Sequence, residues 1–168
     1  MKNKVAALVL ILLMAVSPVA FAFGPFGTPF GAPSDTASVS GYEQRVVQLV
    51  NAERVKAGLD ALYMDGKISD VARLKSKDMA DLNYFAHNSP TYGMAGDMLL
   101  KFGITWSFWG ENIASGQDTP EIVVNAWMNS PSHRENILSP NFTFIGVGYY
   151  VDSNGTPYWT QMFTSDDK

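Results

Sequence analysis

Apolar residues recur every three or four positions in several stretches of the chain, a spacing that predicts amphipathic helices. A first helix is predicted over residues 42–57, with Gly58 in position to end it. A second is predicted over residues 66–83, with Asp65 as its N-terminal cap, and a short third one over residues 95–102. The central part of the chain is therefore expected to be mainly helical.

The same repeat predicts which faces of these helices are buried. On the second helix the expected inward residues are Ile68, Ala72, Met79 and Leu82. A fourth helix is predicted to begin at Thr119-Pro120, where a cap hydroxyl precedes a proline at the first helical position. Its predicted apolar stripe consists of Ile122, Val123, Ala126 and Trp127.

Beyond Pro140 the period changes from helical spacing to alternation. Two alternating segments, residues 144–151 and 158–163, flank the turn dipeptide Asn154-Gly155, a pattern typical of a β-hairpin. Helices followed by a terminal hairpin predict an α+β domain in which helices cover an antiparallel sheet.

The N-terminal region has a different composition from the rest. Lys2 and Lys4 precede an apolar run, and Ala20-Phe21-Ala22 follows it, which predicts a cleaved signal peptide over residues 1–22. Residues 23–41 are rich in glycine and proline and predict a flexible linker, or alternatively an arm that docks through its phenylalanines. The folded domain is then expected to span residues 42–165.

Charge and cysteine content exclude several function classes. The chain has 12 basic and 16 acidic residues, and removal of residues 1–22 leaves 10 basic and 16 acidic ones without any basic stripe, so we expect no nucleic-acid partner. No later segment is long and apolar enough to predict stable membrane insertion after signal cleavage. There is no cysteine, so neither disulfides nor thiol chemistry can operate.

One of the two histidines, His133, follows a predicted helix end and precedes a new helical turn. Ser132 and Glu135 match a capping box, which gives Glu135 a structural role. His133 near a helix N-terminus is expected to be neutral and therefore able to serve as a metal ligand or a base.

The other histidine, His87, and the acid Glu111 complete a candidate site. Each has an ordinary alternative: a loop histidine is commonly a surface or cap residue, and Glu111 between a glycine and an asparagine could accept backbone N–H bonds in a tight turn. If His87, His133 and Glu111 converge, two imidazoles and a carboxylate suit a divalent cation, zinc above all, with an open position for water. That water could be activated for hydrolysis.

Several segments together resemble the CAP superfamily (cysteine-rich secretory proteins, antigen 5 and pathogenesis-related proteins; the SCP domain), in its cysteine-free bacterial branch. The resemblance covers about residues 42–164 and keeps the order of the family motifs. The segments that carry it are Val50-Asn51-Ala52-Glu53-Arg54, Phe85-Ala86-His87-Asn88-Ser89-Pro90, Gly110-Glu111-Asn112-Ile113-Ala114, the run from Ala126 to Leu138, Ile145-Gly146-Val147-Gly148 and Trp159-Thr160-Gln161-Met162-Phe163.

The resemblance implies a three-layer α-β-α sandwich with a central antiparallel sheet and a wide cleft lined by two histidines and two acids. His87 and His133 match the family histidines, which are able to bind a divalent metal, and Glu111 matches the first acid. Ser130 stands where the second acid is found in the eukaryotic branch. We expect Ser130, Trp127 and Asn112 to line the cleft.

Three functions are compatible with this sequence. The first is a secreted, extracellular or cell-surface, non-catalytic module whose cleft binds a divalent metal and a lipid, peptide or cell-wall fragment, and the missing second acid favours it. The second is a metal-dependent extracellular hydrolase in which His87 and His133 hold the ion and Glu111 is the base or third ligand. The third is a surface or coat assembly protein that uses its aromatic arm.

Overall fold

The computed structural model describes residues 35–165 of the chain, with side chains from Gly41 onward. The predicted signal peptide, residues 1–22, and the first part of the predicted linker, residues 23–34, lie outside this range. None of the helices in the described range combines the length and the apolar character that crossing a membrane requires. Within residues 35–165 the elements are, in order, α1 (Asp35–Lys56), β1 (Tyr63–Met64), α2 (Gly66–Asp81), α3 (Ala95–Lys101), β2 (Trp109–Ser115), α4 (Pro120–Met128), α5 (Pro131–Ile137), β3 (Phe144–Val151) and β4 (Pro157–Thr164).

The first two helices form where the apolar spacing predicts them. Helix α1 begins at Asp35, seven residues before the predicted start, because extending an existing helix costs less than nucleating a new one. The predicted cap of α2 is confirmed, since Asp65 Oδ1 accepts hydrogen bonds from the backbone N–H groups of Lys67 and Ile68 at 2.7 and 3.0 Å. The prediction that Leu82 is buried is wrong: α2 ends at Asp81, and the Leu82 side chain points outward, 53% exposed.

Helix α4 has the predicted start but a different buried face. Thr119 Oγ1 accepts from the N–H of Ile122 at 3.3 Å, and Pro120 is the first helical residue. The buried residues are Val123, Val124 and Trp127, whereas Ile122 and Ala126 are exposed. The predicted stripe was therefore rotated, because Val124 rather than Ile122 faces the neighbouring elements.

The sheet has the order β1-β3-β4-β2. The predicted hairpin is confirmed as β3 and β4, paired antiparallel from Phe144–Thr164 to Val151–Pro157. Strand β2 pairs antiparallel with the other side of β4, from Trp109–Thr164 to Ser115–Tyr158. The sheet is antiparallel except at one edge, where the two-residue β1 pairs parallel with β3.

Helices cover both faces of this sheet, which confirms the predicted three-layer α-β-α sandwich. On one face α1, α4 and α5 pack on odd-numbered residues of the hairpin such as Ile145, Val147, Trp159 and Phe163. On the other face α2 and α3 pack around Met162. Helix α2 lies directly on Gly146 and Gly148 of β3, where a Cβ atom would overlap the α2 backbone.

A buried ion pair joins the helices of the two outer layers. Glu43 of α1, whose side chain is 0% exposed, accepts hydrogen bonds from Nε and Nη2 of Arg73 in α2 at 2.7 and 2.6 Å. Glu43 Oε1 also accepts from the backbone N–H of Tyr149 at 3.2 Å, beyond the short stretch of β3 that β1 covers. The pair therefore connects α1, α2 and β3 along the β1 side of the sheet.

Candidate functional site

His87 and Glu111 are in direct contact. His87 lies in the loop between α2 and α3, and its Nδ1 is 2.6 Å from Oε2 of Glu111, which lies in β2 opposite Met162 of β4. The Glu111 side chain is 2% exposed, whereas that of His87 is 49% exposed. The hydrogen bond to Glu111, reinforced by the charge of that carboxylate against the opposing effect of burial, raises the pKa of His87. The ring is thus fixed through Nδ1 on its buried side.

Strand β2, which carries Glu111, is a feature that periodicity does not predict. The alternative interpretation placed Glu111 in a tight turn, but it lies inside a seven-residue strand whose five central residues are all buried. Alternation is absent because both faces of the strand are covered. The second oxygen of Glu111, Oε1, is buried and has no hydrogen-bond partner among the described residues.

His133 is the third residue of α5, on the other side of β2. Its backbone carbonyl accepts a hydrogen bond from Asn112 Nδ2 at 3.1 Å. Burial, and then the charge of His87, lower the pKa of His133. The expected neutral state of His133 agrees with this direction, although the main cause is burial rather than the helix N-terminus.

The predicted capping box is wrong. Helix α5 begins at Pro131 and its cap residue is Ser130, which makes no side-chain capping bond. Ser132 therefore lies inside the first turn, and no hydrogen bond joins it to Glu135 among the described residues. The reason is that a proline readily takes the first helical position, so the helix starts before Ser132 can act as a cap.

A network of side-chain amides connects α5 to β2 by hydrogen bonds. Asn112 Nδ2 donates to His133 O and to Gln161 Oε1, and Asn112 Oδ1 accepts from Asn136 Nδ2 at 2.9 Å. Asn136 Nδ2 also lies within hydrogen-bonding distance of Glu111 O, at 3.1 Å. Neither Asn136 nor Gln161 was singled out from the sequence, where the signal would have been an amide within a predicted buried segment.

Two of the residues expected to line a cleft are buried instead. Trp127, a residue of α4, is 1% exposed and its side chain packs in the core. Its Nε1 donates a hydrogen bond to the carbonyl of Ile113 at 3.2 Å. Asn112 is 0% exposed and holds the network around His133. Both corrections have the same cause: these side chains point into the sandwich. Ser130 is half-buried at the start of α5.

The described residues contain no group of three histidine, cysteine, aspartate or glutamate side chains arranged to hold a metal ion. His87, His133 and Glu111 thus do not form such a group, and Glu111 directs one oxygen to Nδ1 of His87. A carboxylate bonded to one ring nitrogen is the arrangement that commonly orients a metal-binding histidine. It leaves Nε2 of His87 as the donor that a cation could use.

The chain is similar to a known protein family and to a protein of Bacillus subtilis. A family model described as the cysteine-rich secretory protein family (CAP) matches residues 47–163. The uncharacterized protein YkwD of Bacillus subtilis is 59% identical over 136 residues, which are 81% of this chain and 51% of YkwD. The chain therefore spans about half the length of that curated relative.

Solved structures have the same fold. An extracellular protein with an SCP domain from Bacillus anthracis is 35% identical and superposes with a TM-score of 0.72, over 81% of this chain and 45% of that one. An outer surface protein from Borrelia burgdorferi has a TM-score of 0.71 at 22% identity, over 82% of this chain and 100% of that one, and supports the fold alone.

Proposed function

Since this chain belongs to the cysteine-rich secretory protein (CAP) family, we propose that it is an exported, non-catalytic binding module. In this proposal His87 and His133 hold a divalent cation, zinc first among them, and the surrounding surface binds a ligand such as a lipid, a peptide or a cell-wall fragment.

The observation that carries the metal proposal is the contact between His87 Nδ1 and Glu111 Oε2. A buried carboxylate on one ring nitrogen fixes the ring orientation and makes the other nitrogen a better ligand. The ring of His87 is half exposed although this nitrogen is engaged, so Nε2 is the nitrogen on the side open to solvent.

His133 would be the second ligand. A histidine binds a metal only in its neutral form, and the lowered pKa of His133 favours that form near neutral pH. Imidazole nitrogens suit zinc, which commonly keeps a position open for water or another donor when the protein supplies few ligands. When bound, the cation would supply positive charge at this surface for a donor group of the ligand.

The absence of catalysis is proposed from the position of Glu111. Its side chain is 2% exposed and one oxygen is engaged by His87, so it is poorly placed to take a proton from a water molecule at the surface. Ser130 occupies the place of the second family acid and cannot replace a carboxylate as a general base.

Export is proposed from two independent indications. The similar protein from Bacillus anthracis, at 35% identity, is an extracellular protein. Residues 1–22 carry the pattern of a signal peptide. Both support a location outside the cytoplasm.

Titration calorimetry with zinc chloride tests the metal proposal. We expect one zinc ion per wild-type chain and a loss of affinity of at least about tenfold in both His87→Ala and His133→Ala. Glu135→Gln is the matched control, because it removes a nearby acid that has no partner in the site, and it should bind zinc like the wild type. Unchanged zinc affinity in both histidine variants would contradict the metal proposal.

The hydrolase alternative has its own test. Zinc-loaded protein should cleave neither a peptide library nor purified cell wall if the module is non-catalytic. Cleavage that disappears in Glu111→Gln would replace the proposed function with the metal-dependent hydrolase.

A further inference from the structure

A lysine is buried directly beneath the loop that carries His87. Lys75 lies in α2 and is 1% exposed. Its Nζ donates to the carbonyl oxygens of Ala86 and His87, each at 2.8 Å, and lies 3.2 Å from the hydroxyl of Tyr84. An ammonium has three N–H donors, so these partners use all of them.

Burying this ammonium is costly for the fold. Removal of a charged group from water costs free energy even after the surroundings relax, and apolar residues of similar size often stabilise such positions better. Burial lowers the pKa of Lys75, while the charges of Glu111 and Asp78 act in the opposite direction. A methionine of similar size would avoid this cost but would leave the carbonyl oxygens of Ala86 and His87 without the donor that Lys75 supplies.

The same face of α2 binds the loop at a second point. Asp78, three residues after Lys75, accepts hydrogen bonds from the hydroxyls of Tyr84 and Ser89 at 2.5 and 2.7 Å and from Thr91 Oγ1 at 2.6 Å. Asp78 thus binds side chains on both sides of His87, whereas Lys75 binds the backbone at His87 itself.

We propose that Lys75 is the positioning residue of the site: by binding the carbonyls of Ala86 and His87 it fixes the loop backbone so that His87 Nδ1 stays on Glu111. The effect on zinc rests on the proposed function, while the effect on the contact between His87 and Glu111 does not.

The test is Lys75→Met, which keeps the length and volume of the side chain and removes the donors. Lys77→Met is the matched control, since Lys77 lies on the same helix but is paired at the surface with Asp81. In proton NMR the Hδ1 of His87 should give a low-field, slowly exchanging resonance in the wild type and in Lys77→Met. This resonance should disappear in Lys75→Met. The dispersion of the tryptophan indole signals should be unchanged in Lys75→Met, which shows that the variant is folded. A retained Hδ1 resonance in folded Lys75→Met would overturn the proposal.

A second measurement uses the wild-type protein, in case Lys75→Met does not fold. The ammonium of Lys75 should exchange slowly with water and show scalar couplings to the carbonyl carbons of Ala86 and His87, unlike that of Lys77. A freely exchanging Lys75 ammonium would exclude the positioning role.

Zinc titration separates the two proposals. Affinity is expected to fall about tenfold in Lys75→Met and to be unchanged in Lys77→Met. If the wild type binds no zinc, the proposed metal function fails while the Hδ1 measurement still decides the role of Lys75. If zinc binds and Lys75→Met changes neither affinity nor the resonance, only the role of Lys75 fails.

Discussion

At the scale of single residues, Glu111 controls the protonation of His87. Its hydrogen bond raises the pKa of His87, so this histidine contributes stability that is fully present below its unfolded pKa and is lost as pH rises through the folded one. His133 has the opposite shift, since burial and the charge of His87 lower its pKa. The pKa values of the two histidines are therefore shifted in opposite directions.

Replacing Glu111 by glutamine should lower the pKa of His87, because the neutral amide cannot stabilise the imidazolium as the carboxylate does. An NMR titration of the His87 ring protons measures this directly. Glu121→Gln is the control: Glu121 pairs with Arg45 at the surface, so the change should leave both histidine pKa values where they are. An unchanged pKa of His87 in Glu111→Gln would contradict the contact between the two residues.

Sequence patterns could predict His87, Glu111 and His133 as a candidate site, because these residues lie in recognisable segments, but they could not predict Lys75. A lysine on an amphipathic helix has the same appearance whether it faces solvent, as Lys77 does, or a loop carbonyl, as Lys75 does. Only the tertiary course of the loop after α2 distinguishes them.

At the scale of elements, the packing of α2 against β3 depends on the lack of a side chain at Gly148. The change Gly148→Ala should lower the free energy of unfolding by about 3 kcal/mol or more, since the added Cβ would overlap the backbone of Ala72 and neither element can easily move. Urea denaturation followed by tryptophan fluorescence measures the loss.

Gly66→Ala is the matched control for that change. Nothing lies within 4 Å of a Cβ at Gly66, the first residue of α2, so the variant should be neutral or up to about 1 kcal/mol more stable. Equal stability of the two alanine variants would mean that α2 does not pack on Gly148 as described.

Helices and the hairpin were predictable from periodicity, whereas β2 and the start of α5 were not. Strand β2 is buried on both faces and shows no alternation. The spacing of Ser132 and Glu135 matches the capping-box pattern, but the box does not form because the helix already begins at Pro131. Such local patterns compete, and a single sequence does not indicate which one prevails.

At the scale of the whole molecule, the pair of Glu43 and Arg73 connects the two helical layers. Glu43→Gln should lower the free energy of unfolding by about 3 kcal/mol, toward the lower end for a broken buried pair, because Arg73 is 38% exposed and can be hydrated in part. Glu121→Gln at the exposed pair with Arg45 should cost less than about 1 kcal/mol. Thermal unfolding by calorimetry compares them, and equal losses would refute a connecting role for Glu43.

The three-layer arrangement followed from the helices, the hairpin and the family resemblance, but the order of the strands did not. Nothing in the hairpin sequence indicates that β2 pairs with β4 rather than with β3. The other edge of β3 is paired with β1, so β4 provides the edge with which β2 pairs.

The fully buried strand β4 is also the last of the described elements to leave the ribosome. Strand β2 has no other partner among the described strands, so a nascent chain that has emerged only as far as β3 cannot hold Glu111 in place opposite His87. The acid and the imidazole meet only when β4 inserts between β2 and β3. A polypeptide that crosses a membrane before it folds would therefore arrive without the contact between His87 and Glu111 and form it only there.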